Sequence, residues 1–78
     1  MRKRTDLAYT VGARLRLSRR RKGWTRPDLK RESGIPVNTI RQYEDGYAIP
    51  SAPRLILLAQ ALDVDPAWLV PVEKEDGK

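Results

Sequence analysis

The chain has no cysteine and no histidine, and its longest apolar run is only Leu55-Ile56-Leu57-Leu58-Ala59. Each absence excludes something. Without cysteine there is no disulfide framework and no thiolate nucleophile, and a reducing cytoplasm is the expected compartment. Without histidine as well, a tetrahedral zinc site falls to carboxylates alone, and the commonest general base is missing. The 10 acidic residues show no paired spacing in a pocket-forming segment, and 78 residues leave little room for a substantial cleft. An enzyme, a metal centre and a bound cofactor are therefore not expected. The apolar run falls far short of the roughly 20 residues that span a bilayer, so no membrane role is expected. The opening MRKRTDLAYT is basic but lacks an apolar core after it, which argues against a secretory signal. No stretch alternates apolar and polar residues with β-branched enrichment, so strands are not expected.

What is present is charge, unevenly spread. Residues 1–41 hold 13 Lys and Arg against 3 Asp and Glu, while residues 42–78 hold 3 against 7. The balances are +10 and −4, which sum to the net +6. A basic half joined to an acidic half suits a polyanion on one side only, with nucleic acid ahead of a membrane surface. A hydrophobic content of 40% is enough for one small core.

Glycine and proline punctuate short helices. Thr5 is an N-cap for a helix from Asp6 to Lys22, with Gly23 after it as a left-handed residue. Ala8, Val11, Leu15 and Ser18 recur at helical spacing as its buried stripe. Thr25 and Asp28 form a capping box for a second helix that ends near Ser33-Gly34, with Leu29 inward. A third runs from Pro36 to Glu44 and stops at Asp45-Gly46. Ser51 caps a fourth, whose inner stripe is Leu55, Leu58, Ala59 and Leu62, and Asp65 caps a short fifth that begins at Pro66. The expected fold is a compact all-α five-helix bundle. Residues 1–5 are a basic arm, 6–72 the folded domain and 73–78 a charged tail.

The second and third helices are separated only by Ser33-Gly34-Ile35, which is the spacing of a helix-turn-helix. Gly34 falls where the turn needs a left-handed residue. In this geometry the second helix of the pair enters the major groove. That use explains the outer face of GIPVNTIRQYEDG, residues 34–46. Ile40 and Tyr43 share a face with Ile35, and Val37, Asn38, Arg41 and Gln42 lie opposite. The amides of Asn38 and Gln42 suit bidentate pairing with adenine, Val37 suits the thymine methyl, and Arg41 suits guanine or a phosphate.

The run VGARLRLSRRRKGWT, RPDLKRESG, IPVNTIRQYEDG, the IPS loop and LILLAQALDVDPAWLV resembles the lambda-repressor/Cro-like (XRE) helix-turn-helix family from Val11 to Val70. The chain departs from that family's usual residues at Arg26 (commonly Gln), Lys30 (commonly Ala) and Pro36 (commonly Ser or Thr). Lys30 is expected on the inner side of the second helix with its head snorkelling to water. The resemblance implies that Arg19 pairs with Glu44, and that Tyr47 lies in a loop that touches phosphate. It further implies that the C-terminal edge near Trp68 is where copies dimerise. Arg26, at a positive helix start, suits a phosphate. Thr39 either donates to a phosphate or bonds back to its own helix. Arg2, Lys3 and Arg4 form a basic arm able to reach a groove or the backbone, or serve solubility alone. Trp24 is expected in the core.

These readings converge on sequence-specific binding of double-stranded DNA by a small transcriptional regulator of repressor type. A homodimer on an inverted-repeat operator is expected. The competing reading is a protein-interaction or antitoxin-like module with only non-specific DNA affinity, using exposed Leu17, Val70 and Val72. RNA binding is disfavoured by the lack of an aromatic stacking sheet.

Overall fold

The computed structural model describes residues 5–71. They form α1 (Asp6–Arg21), α2 (Arg26–Ser33), α3 (Val37–Glu44), α4 (Ala52–Leu62) and α5 (Pro66–Leu69), with no strand among the described residues. The fold is the expected all-α bundle. Its helix starts follow from local chemistry. Thr5 Oγ1 accepts from the Ala8 amide at 3.0 Å, and Asp65 Oδ1 accepts from the Ala67 amide at 2.9 Å. At α2 the capping box closes in both directions. The Asp28 amide donates to Thr25 Oγ1 at 3.2 Å, and the Thr25 amide donates to Asp28 Oδ2 at 2.8 Å. Caps of this kind contribute about 1 kcal/mol each. That matters for helices of 8 residues, which are too short to hold alone.

Some boundaries differ from the sequence reading. α1 ends at Arg21 with Lys22 as its C-cap, and Pro36 is the N-cap of α3, not its first residue. Ser51 holds the N-cap position of α4, but its hydroxyl makes no capping hydrogen bond. Asp63 ends α4 with φ +60°, a left-handed position that a short polar side chain tolerates better than most.

Leu15, Leu29, Ile35, Ile40, Leu58 and Leu69 are buried almost completely and bring all five helices and the α2–α3 turn into one core. α1 packs on α3, α2 lies against both α3 and α4, and α5 closes the bundle against α4 and α1. The stripe Ala8, Val11, Leu15 and Ser18 is buried as expected. Trp24 is half-buried against the core, with Lys22 Nζ 5.3 Å from its ring centroid. Lys30 is exposed, not inward, because Leu29 and Ser33 carry the inner face of α2. Val70 is half-buried against the core, so it adds little free surface, and Val72 lies outside the described residues. α5 is tied to α1 by Arg14, whose Nη1 donates to the Trp68 carbonyl while its guanidinium sits 5.2 Å from the Trp68 ring centroid. Such cation–π contact adds about 0.5–1 kcal/mol where it is partly exposed.

α1 comes close against the end of α3 at Gly12, a residue the periodicity of α1 does not single out. A Cβ there would stand 2.5 Å from both the Tyr43 and Glu44 carbonyl oxygens. Those are backbone atoms at the end of α3 and cannot swing aside. Gly12 therefore sets the α1–α3 distance. Gly34 is constrained differently, by φ +80° with open space around its Cα. Gly12→Ala is expected to destabilise the domain by about 1–3 kcal/mol through overpacking. Gly34→Ala should cost about 1–2 kcal/mol through backbone strain alone. Thermal denaturation reads both, at about 4–8 °C per kcal/mol for a domain of this size; an unchanged midpoint for Gly12→Ala would contradict the close packing.

Candidate nucleic-acid interface

The turn that joins α2 to α3 is built from three adjacent residues. Gly34, left-handed, donates its amide to the Lys30 carbonyl at 2.7 Å. Ser33 Oγ donates to the Leu29 carbonyl at 2.7 Å and accepts from the Ile35 amide at 3.2 Å. Ile35, 2% exposed, plugs the angle between the helices. The buried Ser33 hydroxyl thus stitches the last turn of α2 to the start of α3. Sequence reasoning gave Ser33 no such role, since a serine before glycine marks a turn without revealing which groups it bonds.

With Ile40, Tyr43 and Glu44 turned inward, α3 presents Asn38, Arg41 and Gln42 to solvent and leaves Val37 half-buried at its start. Among the described residues no side-chain hydrogen bond or ion pair engages Asn38, Arg41 or Gln42. Thr39 is half-buried and makes no bond back to its helix. Pro36 offers no side-chain cap, so the first amides of α3 lack the side-chain partner that Thr25 gives α2. The result is a helix carrying amide and guanidinium groups outward on one surface, with the Val37 methyls part-exposed beside them. Tyr47 is exposed in the loop after α3, its amide donating to the Gln42 carbonyl at 2.9 Å. Arg2, Lys3 and Arg4 lie outside the described residues.

Behind this surface stands a buried carboxylate. The Glu44 side chain has no exposed area, and Arg19 grips it in a two-pronged pair. Arg19 Nε reaches Oε2 at 2.7 Å and Nη2 reaches Oε1 at 3.0 Å. Arg19 also donates through Nη1 to the Trp24 carbonyl at 2.8 Å. The pairing implied by resemblance is present, and it removes Arg19 from the outward cations. Arg26 joins the same group, its Nε donating to Glu44 Oε1 at 3.1 Å. Arg16 approaches from α1, with Nε 3.5 Å from Glu44 Oε1 and Nη2 3.1 Å from Asp45 Oδ1. Neither the Arg26 contact nor Arg16 was legible in the sequence, because both depend on where α1 and α2 cross the end of α3.

The arrangement fixes the titration of Glu44. Burial pushes its carboxyl up, but the hydrogen bonds and charge of Arg19, with those of Arg26, outweigh burial and hold it below the ordinary glutamate value. Asp28 is also held low, first by the Thr25 backbone amide and then by Arg31 and the Thr25 hydroxyl.

Two helices joined by a tight left-handed turn, the second displaying an outward polar face, define a helix-turn-helix protein. The helix-turn-helix family model matches residues 15–69, and the chain belongs to that family. The chain is similar to the restriction-modification controller protein C.AhdI from Aeromonas hydrophila, at 32% identity and a TM-score of 0.75, over 80% of this chain and 94% of that one. It also shares its fold with a hypothetical transcription factor, NHTF, from Neisseria, at 24% identity and a TM-score of 0.78, over 90% of this chain and 80% of the other. No curated protein matches its sequence. The class is that of DNA-binding regulators, not enzymes.

Because the folded-state values of Glu44 and Asp28 are depressed, their contribution is complete above the unfolded carboxylate values near 4 and is lost as pH falls through the folded ones. The melting temperature is therefore expected to be flat above about pH 5 and to fall below about pH 4. Asp28→Asn should remove only a small part of that fall. Glu44→Gln should lower stability at pH 7 by about 3–5 kcal/mol, because it leaves buried guanidinium charge uncompensated. A melting temperature that does not move between pH 5 and pH 3 would refute this account.

Proposed function

We propose that the chain is a sequence-specific regulator of transcription, of repressor type, that reads double-stranded DNA with α3. The observation that carries this reading is the outer face of α3, where Asn38, Arg41 and Gln42 are exposed and unengaged beside Val37 on a helix held by a buried core. Asn38 and Gln42 read adenine, Val37 the thymine methyl, and Arg41 guanine or a phosphate. Arg26, Thr39 and Tyr47, with Arg2, Lys3 and Arg4 of the arm, supply phosphate contacts that orient the helix and most of the affinity. Arg26 does so with the donors that Glu44 leaves unused. The work is done in the cytoplasm, as suits a cysteine-free chain with no described helix long and apolar enough to cross a membrane.

The protein acts as a homodimer on an inverted repeat, with half-sites about 10 bp apart. Support comes from α4. Leu55 to Leu58 are consecutive apolar residues on a helix, so one core cannot take all four side chains; Ile56 and Leu57 remain 48% and 44% exposed. Arg54 is the one charged residue within α4, so two basic molecules can meet along this helix with little repulsion.

Two measurements test these readings. Selection from a random duplex pool at about 150 mM salt, where non-specific binding is weak, should enrich an inverted repeat with the wild-type protein. Asn38→Ala/Gln42→Ala should lose it. Equal, unenriched recovery by both proteins would instead favour the protein-interaction module. Separately, sedimentation should give a dimer for the wild type and a folded monomer for Ile56→Glu/Leu57→Glu; an unchanged dimer would move the interface elsewhere.

A further inference from the structure

The group around Glu44 has more cation than it needs. Among the described residues, Arg16, Arg19 and Arg26 face Glu44 and Asp45, three positive charges against two negative. Arg19 is buried and its fork is filled by Glu44 and the Trp24 carbonyl. The side chains of the other two are part-exposed, at 37% and 29%, and their Nε atoms flank the same carboxylate oxygen at 3.5 and 3.1 Å. A guanidinium offers five N–H donors. Among the described residues, Arg16 uses one of its five on Asp45 and Arg26 uses one on Glu44. The Nε of Arg16 is buried and donates no hydrogen bond at all. Arg16 also lines an open cleft between α1 and the end of α3, together with Tyr9, Ala13, Glu44, Asp45 and Tyr47.

We infer that Arg16 and Arg26, held apart by Glu44 Oε1, form a seat for one backbone phosphate of the bound duplex. This rests on the DNA-binding reading and adds Arg16 to it. Glu44 is the positioning residue: it orients both forks from beneath and is itself out of reach of solvent. A phosphodiester carries one negative charge, which balances the excess of the group. Its two free oxygens match a pair of guanidinium donors, an arrangement that lysine does not reproduce. Asp45 is the competitor. It holds the Arg16 Nη2 at 3.1 Å in the free protein, and the phosphate shares or displaces that bond. The seat reads no sequence, so it fixes where α3 lies in the groove without altering which bases it prefers.

The test is a mutant cycle read by duplex affinity and its salt dependence, with folding checked by circular dichroism. Arg16→Gln is expected to weaken binding about 10-fold, the lower end of the range for a hydrogen bond to a charged group. It should also make the slope of log affinity against log salt shallower by about 0.9, the value for one phosphate. Base preference should not change. The loss should persist when Asp45→Asn is already present, whereas Arg21→Gln, which removes an exposed cation on the α5 side of α1, should have a clearly smaller effect. A loss that vanishes in the Asp45→Asn background means that Arg16 acts only through Asp45, and it overturns the seat. So does an Arg16→Gln effect no larger than that of Arg21→Gln. A second readout needs no variant: the Arg16 Nε–H resonance of the 15N-labelled wild type should shift as duplex is added to saturation, and a resonance that stays put overturns the proposal. Failure of the wild type to bind any duplex would instead remove the DNA-binding reading itself.

Discussion

A carboxylate with no solvent-exposed surface is a severe constraint on a domain this small. Taking a single ionised group out of water costs several kcal/mol, a large share of the total stability available to fewer than 80 residues. Glu44 is tolerated because Arg19 closes on both of its oxygens and Arg26 adds a third hydrogen bond. Arg16 lies within ion-pair distance. Those partners come from α1 and α2, while Glu44 ends α3. The requirement to keep one charge paired therefore ties together the three helices that make up the outward-facing surface.

Geometry enforces the same junction from the backbone side. Gly12 allows α1 to come against the final carbonyls of α3, so the helix that offers Arg16 and Arg19 lies close enough for their side chains to reach Glu44. A larger residue would push the helices apart and weaken packing and ion pairing together. On the opposite edge, Ser33, Gly34 and Ile35 hold α3 at its angle to α2. A helix of 8 residues has little stability of its own, so α3 keeps its place by being clamped at both ends.

The charge of the basic half divides into two populations that composition cannot separate. Arg19 is consumed inside the fold, and Arg14 is spent on fastening α5 through the Trp68 carbonyl and ring. Arg20, Arg21, Lys22, Lys30, Arg31 and Arg41 remain exposed. Arg16 and Arg26 stand between, anchored by carboxylates yet part-exposed. Net charge is therefore a fair guide to the kind of partner and a poor guide to which side chains meet it. The apolar residues show a parallel division. Leu58 and Leu62 complete the core, while their neighbours Ile56 and Leu57 are left on the surface by the helical period.

Much was settled locally. Thr5, Thr25 and Asp65 cap helices because their side chains bond amides two or three residues away, and Gly34 turns the chain because a glycine there carries no Cβ penalty. Interactions over such short spans are encoded by sequence spacing, so the five helices, the buried stripes and the outer face of α3 were all legible in the order of residues. The Arg19–Glu44 pair was legible only through family resemblance. What the sequence could not reveal were the events at helix crossings: Gly12 against the carbonyls of α3, Arg16 and Arg26 on Glu44, and Arg14 on Trp68. Each depends on groups brought together from different helices, in several cases from far apart in the chain. Their distances are set only when the whole core packs, and no periodicity within a single helix records them.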